Sequence, residues 1–179
     1  MRILITSIVD LKRVTHNRIH VFVDYLSRRH DVTVLCLNAW WLEKGEASSS
    51  RADYHSDPYF QEIFERTRIL YLSEGRVSPV LQEFTSLRTL DSLLREIDYA
   101  RFDVHVNYCN LIAGYFVARK AKRLGIPTVF DIADDVPRRF GSSPQVPGLL
   151  RAPARLVADF MLRANIKLAS KAHSRFRWR

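Results

Sequence analysis

The chain reads as an α/β protein: a Rossmann-like, doubly wound parallel sheet in a single domain, with strand order 3-2-1-4-5. Three observations predict it. Short apolar runs alternate with segments of helical period along the whole chain. The runs are β-branched and continuous, the pattern of strands buried on both faces. Polar and acidic residues follow the runs directly, at the strand ends where open α/β sheets place ligand-binding groups.

Residues 2–8, Arg-Ile-Leu-Ile-Thr-Ser-Ile, are the first buried strand. After a polar loop from Asp10 to Asn17, the residues Ile19, Phe22, Val23 and Leu26 recur at helical spacing, and this helix ends at Ser27-Arg28-Arg29-His30. Residues 31–37 form the second strand and close a βαβ unit, with a right-handed crossover expected. Residues 43–66, with Gly45, Ser48-Ser49-Ser50 and Pro58, read as a long irregular insertion in which 59–67 can hold a short helix. Ile69-Leu70-Tyr71-Leu72 is the third strand. Val80, Phe84, Leu87, Leu90, Leu94 and Ile97 then mark one amphipathic helix lying on the sheet.

Residues 104–108 are the fourth strand and 111–124 a helix that stops at Gly125, before Ile126-Pro127. Residues 128–132 are the fifth strand. Residues 137–153 hold four of the seven prolines and read as a loop, and a last helix spans about 153–170. The domain is expected over 1–173, with a basic tail at 174–179.

A chain of 179 residues with 47% hydrophobic and 26% charged residues suits one globular domain. The net charge of +9 is uneven: residues 149–179 hold eight Lys or Arg against Asp159 alone, while 1–148 hold 20 against 18 acids. Such a block is a footprint for phosphate-rich partners, lipid headgroups or nucleic acid. No apolar run reaches a signal peptide's core or a spanning helix, so a cytoplasmic protein, peripheral at most at the membrane face, is expected. Cys36 and Cys109 fall on strands that are not neighbours, so two free thiols are expected. No His/Cys set has zinc spacing, and there is no Walker loop or Gly-x-Gly-x-x-Gly, so no metal is assigned.

Three loops open on one edge in this topology: Asp10 to Asn17, the turn after Asn107, and Asp131 to Asp135. Thr15, His16, Asn17 and Arg18 precede the first helix, whose N-terminus favours an anion. Arg18 can clamp it and His16 can donate a hydrogen bond; alternatively Asn17 or Thr15 caps the helix. Asp131, Asp134 and Asp135 can accept hydrogen bonds from ligand hydroxyls or hold Mg²⁺; alternatively Asp131 packs within the domain and Asp134 or Asp135 caps the following turn. Asn107 and Arg138 complete the candidate binding set. His105, between two valines, reads as structural, and Trp40-Trp41 as a lid on the core or a ligand platform. Arg151, Arg155, Arg163, Lys167 and Lys171 recur in steps of four or eight beside an apolar row of Leu156, Phe160, Ala164 and Leu168. That is a basic amphipathic helix, suited to an anionic membrane or to packing on the core with a solvated basic side.

Met1-Arg2-Ile3-Leu4-Ile5, the stretch from Tyr25 through His30 into Asp31-Val32-Thr33-Val34-Leu35, the strand Asp103-Val104-His105-Val106 and Gly125-Ile126-Pro127-Thr128-Val129-Phe130-Asp131 together resemble a known family. It is the N-terminal domain of family-4 retaining glycosyltransferases of the GT-B fold. The family's Gly-Gly in the first loop is replaced here by Arg13-Val14-Thr15-His16-Asn17-Arg18. The resemblance implies an acceptor-side half, with Asp134 and Asp135 orienting the acceptor. It also implies a nucleotide-sugar donor held mainly on a second, C-terminal domain, and no tightly bound cofactor. Implied partners are a sugar or lipid-linked acceptor and a separate donor-binding subunit. The basic helix adds an anionic membrane surface, the face left by a missing second domain adds a second copy in a homodimer, and nucleic acid is not expected, since the basic excess carries no recognisable motif. The alternative is a noncatalytic membrane-recruitment or adaptor subunit that keeps the fold.

Overall fold

The computed structural model describes residues 1–13, 17–38, 57–73, 79–108, 111–132, 136–142 and 147–174. Among them, continuous apolar runs become the parallel strands β1 (Arg2–Ser7), β2 (Asp31–Cys36), β3 (Thr67–Tyr71), β4 (Val104–Tyr108) and β5 (Thr128–Ile132), and a further strand, β6 (Lys171–Ser174), follows. The sheet order is β3-β2-β1-β4-β5-β6. The first five strands stand in the expected order. β6 is an addition: it pairs with β5 from Val129↔Lys171 to Ile132↔Ser174, held by main-chain bonds with no apolar run to announce it. Lys171 therefore stands on a strand and is not the last basic residue of a helix.

Successive side chains on a strand point to opposite faces. Ile3 and Ile5 face α1 (Arg18–Ser27) and α2 (Pro58–Arg66), which bring Ile19, Val23, Phe60 and Ile63 to them. Leu4 and Leu35 face the opposite layer, built from α3 (Pro79–Thr85), α4 (Leu87–Glu96), α5 (Ile112–Leu124) and α7 (Arg151–Leu168), with α6 (Val136–Ser142) against α7. α5 ends on Gly125 at φ 74°, a left-handed cap that relieves Ala121 and Lys122 carbonyls.

Three expectations change. The single helix over 80–97 is interrupted at Ser86, and Phe84 and Leu87 end up exposed. The proline-rich loop is partly helical: Pro137 and Pro153 sit in the first turns of α6 and α7, where a missing N–H costs little. On α7 the inward row is Ala158, Leu162 and Asn165, while Leu156 and Phe160 face solvent, so core packing, one of the two readings of their row, does not hold for them.

Asn165 can lie inside because its amide is fully used. Its Nδ2 donates to the carbonyls of Leu111 (2.8 Å) and Met161 (2.9 Å), and its Oδ1 accepts from Asn107 Nδ2 at 2.9 Å. Asn107 Oδ1 accepts from the Thr6 hydroxyl at 3.4 Å. Thr6 Oγ1 in turn lies 3.0 Å from His105 Nε2, and His105 Nδ1 lies 3.4 Å from Thr128 Oγ1. Since Thr6 gives its proton to Asn107, His105 donates through Nε2 and accepts at Nδ1 from Thr128. Burial pushes the His105 pKa down to about 3, so the ring is neutral and structural.

Cys36 is a free, buried thiol, and burial, then the charge of Asp10, push its pKa up. Iodoacetamide applied to the native chain should leave Cys36 unmodified while labelling it in denaturant, by peptide mass spectrometry. Equal labelling in both states would show the strand opening freely.

Candidate functional site

α1 follows β1 on one face of the sheet and α5 follows β4 on the other, so the chain parts between these neighbouring strands. That crevice at the strand C-termini is the usual ligand position in open α/β sheets.

On the α1 side, the helix begins with a reciprocal cap. Asn17 Oδ1 accepts from Ile19 N at 3.0 Å, and Asn17 N donates to His20 Nδ1 at 3.3 Å. His20 is buried and its Nε2 donates to Leu11 O at 2.9 Å, which fixes the tautomer that lets Nδ1 accept. Asn17 thus serves as the helix cap, the structural alternative considered for it.

One residue on, Arg18 reaches across to β5. Its Nη2 donates to Asp131 Oδ2 at 2.7 Å, and its guanidinium lies 5.4 Å from the Tyr108 ring centre. Partial burial works against the Arg18 charge, but hydrogen bonding to Tyr108 and attraction by Asp131 outweigh it and raise its pKa. The two residues expected to serve separately, one as an anion clamp and one as an acceptor contact, are therefore one ion pair. Its side chains remain 29% and 20% accessible, enough to meet a ligand.

A second group, at the ends of β1 and β3, was not singled out from the sequence. Asp10 Oδ1 accepts from Lys12 N at 3.0 Å and from the Tyr71 hydroxyl at 3.2 Å, and Arg13 Nη1 donates to Tyr71 Oη at 2.6 Å and to Asp10 Oδ2 at 3.3 Å. Burial, then the Asp10 charge, raise the Tyr71 pKa, so the phenol stays protonated. Its signal was present: Asp10 and Tyr71 are polar groups at strand ends, like Asp131.

The crevice's other wall holds Glu83. This buried carboxylate accepts from three successive amides opening α5: Leu111 N (3.2 Å), Ile112 N (2.8 Å) and Ala113 N (3.4 Å). Burial raises its pKa to about 7 against the pull of those amides. Its neighbour Gln82 clasps the chain after β2, donating to Asn38 O at 2.7 Å and accepting from Asn38 N at 2.8 Å. Nothing in the sequence distinguishes Glu83 from the solvated acids of an amphipathic helix.

Asn107 corrects an expectation. It is wholly buried and spent on Thr6 and Asn165, so its side chain does not open on the crevice. Arg138 is exposed on α6. Thr15, His16, Asp134, Asp135, Cys109 and Trp40-Trp41 lie outside the described residues. Of the basic row, Arg163 and Lys167 point outward, whereas the stem of Arg155 lies over Gly141 of α6. No group of three potential metal ligands converges among the described residues, and no helix there is long and apolar enough to cross a membrane.

No protein-family model matches the chain, and no curated protein does. Among solved structures it is similar to a UGT transferase from Siraitia grosvenorii in complex with UDP, at 14% identity and a TM-score of 0.48. The likeness covers 90% of this chain and 42% of that one, so the chain spans less than half of that protein's length. A likeness that distant says nothing of chemistry, and the doubly wound fold rests on the sheet order itself.

Proposed function

We propose that this chain is the acceptor-binding half of a nucleotide-sugar-dependent glycosyltransferase acting in glycan or glycolipid synthesis. The observation that carries the reading is the Arg18–Asp131 pair against Tyr108, at the strand ends beside the sheet's switch point. A carboxylate steadied by a guanidinium and flanked by an aromatic ring is chemistry that suits a sugar: hydroxyls donate to the carboxylate, and apolar sugar faces stack on the ring. The family resemblance over 1–173 supports the same reading. Asp134 and Asp135 would orient the reacting hydroxyl, with Thr15, His16 and Arg138 around the acceptor. The nucleotide-sugar would be held mainly by a second α/β domain, fused or separate, and no cofactor is bound tightly.

The test is a titration of the ¹⁵N-labelled chain with a panel of methyl hexosides. Amides of Arg18, Tyr108 and Asp131 should move together for the accepted sugar. Asp131→Asn, which keeps the shape and removes the charge, should weaken that binding about tenfold. Shifts confined to other surfaces, or an unchanged affinity in Asp131→Asn, would defeat the proposal.

One observation favours the noncatalytic alternative: Asp10, Arg13, Arg18 and Asp131 already neutralise each other in pairs. An adaptor would show no sugar-dependent shift at these amides at all.

A further inference from the structure

The outward surface of the α3–α5–α7 layer combines two properties that rarely coincide on a solvated face. Leu149, Leu156 and Phe160 are 96%, 71% and 70% exposed, and Leu150 and Val157 stand beside them. At 3.6 residues per turn, Leu156, Phe160, Arg163 and Lys167 fall on a single stripe of α7, apolar in its first half and basic in its second, and Leu149 stands in the short turn just before the helix. α7 precedes a strand parallel to β5, so its N-terminal, apolar half lies at the same sheet edge as Asp131 and Glu83. The apolar surface continues inward: Phe84, Val157 and Met161 line a cleft of about 100 Å³ floored by Ile112. One turn further along α5, exposed Phe116 walls a groove of about 430 Å³ with Arg119 and Arg123 on its rim.

Charge differs between the two faces of the sheet. α3, α4, α5 and α7 together carry ten Lys or Arg against four carboxylates, of which α5 and α7 hold eight against Asp159, whereas α1 and α2 on the opposite face carry two Arg against three carboxylates. Exposed leucine and phenylalanine argue for a covered surface. A protein interface keeps charge out of its apolar centre, but here arginine and lysine continue the row of Leu156 and Phe160. A bilayer accommodates that order, taking apolar tips below the phosphates while long basic side chains reach back to them.

We infer that the outward face of α5 and α7 docks on an anionic lipid bilayer, with the N-terminal half of α7 sunk among the acyl chains and the crevice edge turned toward the membrane. The inference stands apart from the proposed transferase activity, since docking is read without any turnover. It narrows the basic row inferred from sequence: Lys167, Arg119 and Arg123 meet the headgroups, with Leu156 and Phe160 as the wedge, while Arg163 is held by Asp159 at 2.8 Å.

The test is cosedimentation of the full chain with sucrose-loaded vesicles, either pure phosphatidylcholine or equal parts phosphatidylcholine and phosphatidylglycerol. The chain should partition to the mixed vesicles and hardly to the neutral ones. Phe160→Glu should cut partitioning at least about tenfold, and Arg123→Gln with Lys167→Gln about twenty-five-fold at low salt, since each basic residue near the surface contributes roughly fivefold. Tyr25→Glu, an equally exposed aromatic on the opposite face, should bind as the parent does. Circular dichroism and melting of each variant report whether it is folded. No binding to mixed vesicles, or equal losses in Phe160→Glu and Tyr25→Glu, overturns the inference. So does a parent chain that is dimeric and becomes monomeric in Phe160→Glu, because the ridge would then belong to a second copy.

Discussion

Glu83→Ala should lower the unfolding free energy by about 3 kcal/mol in mildly acidic buffer, because three buried amides lose their acceptor at about 1 kcal/mol each. The pH dependence carries a definite sign. Burial raises the Glu83 pKa from 4.5 in the open chain to about 7 in the fold, so the folded state holds its proton over a range where the unfolded state has released it. The stability this confers is fully present below pH 4.5 and is lost as pH rises through about 7. The loss amounts to roughly 3 kcal/mol across that window. Denaturant unfolding of Glu83→Gln, which cannot titrate, should lack this decline, and the difference between the two pH profiles isolates the group. Parallel profiles would mean that solvent reaches the carboxylate and that α3 does not seal the start of α5.

Gly114→Ala should also cost about 3 kcal/mol, against the usual rule that alanine strengthens a helix by about 1 kcal/mol over glycine. A Cβ at Gly114 would meet Asn107 Nδ2, within the 2.6 Å that separates it from Asn107 Cγ and Oδ1. Asn107 cannot swing aside: it is enclosed, and Thr6 and Asn165 hold both ends of its amide. Overpacking and two damaged hydrogen bonds therefore outweigh the gain in propensity. Thermal melting should show a drop of about 10 °C, at roughly 2–4 °C per kcal/mol for a chain of this size. In a double-mutant cycle, Asn107→Ala should cost less in the Gly114→Ala background than in the parent, with a coupling above about 1 kcal/mol. Simple additivity would show that the clash is relieved by movement of α5.

The central strands were legible because burial on both faces requires continuous apolar runs, and residues 2–7 or 31–36 can be little else. α1 and α5 were legible through their periodicity, and Gly125 through its cap. β6 was not, since Lys-Ala-His-Ser gains its place from the main chain of β5. The facing of α7 stayed open between core and membrane for a related reason. The helix has two candidate inward rows, and hydropathy ranks Leu156 and Phe160 above a row that includes Asn165. Only the carbonyls of Leu111 and Met161 make that asparagine cheap to bury, and those come from tertiary packing. The candidate site was half visible in the same way. Strand-end position marked Arg18 and Asp131, but their union as a pair, and the role of Glu83, depend on how β5 and α3 meet α1 and α5.

The buried line from Thr128 through His105, Thr6 and Asn107 to Asn165 also carries information that the apolar core lacks. Sliding a strand of isoleucine, leucine and valine by two residues returns similar side chains to the same face, so oily contacts discriminate poorly between one register and the next. Each member of this line offers one donor to one acceptor in sequence, across three strands and a helix. A slip anywhere strands a proton or a lone pair in a dry interior, at about 1–3 kcal/mol for each orphan. The line therefore works as a key cut into an otherwise smooth sheet, telling β1, β4 and β5 which of their near-equivalent alignments is the native one.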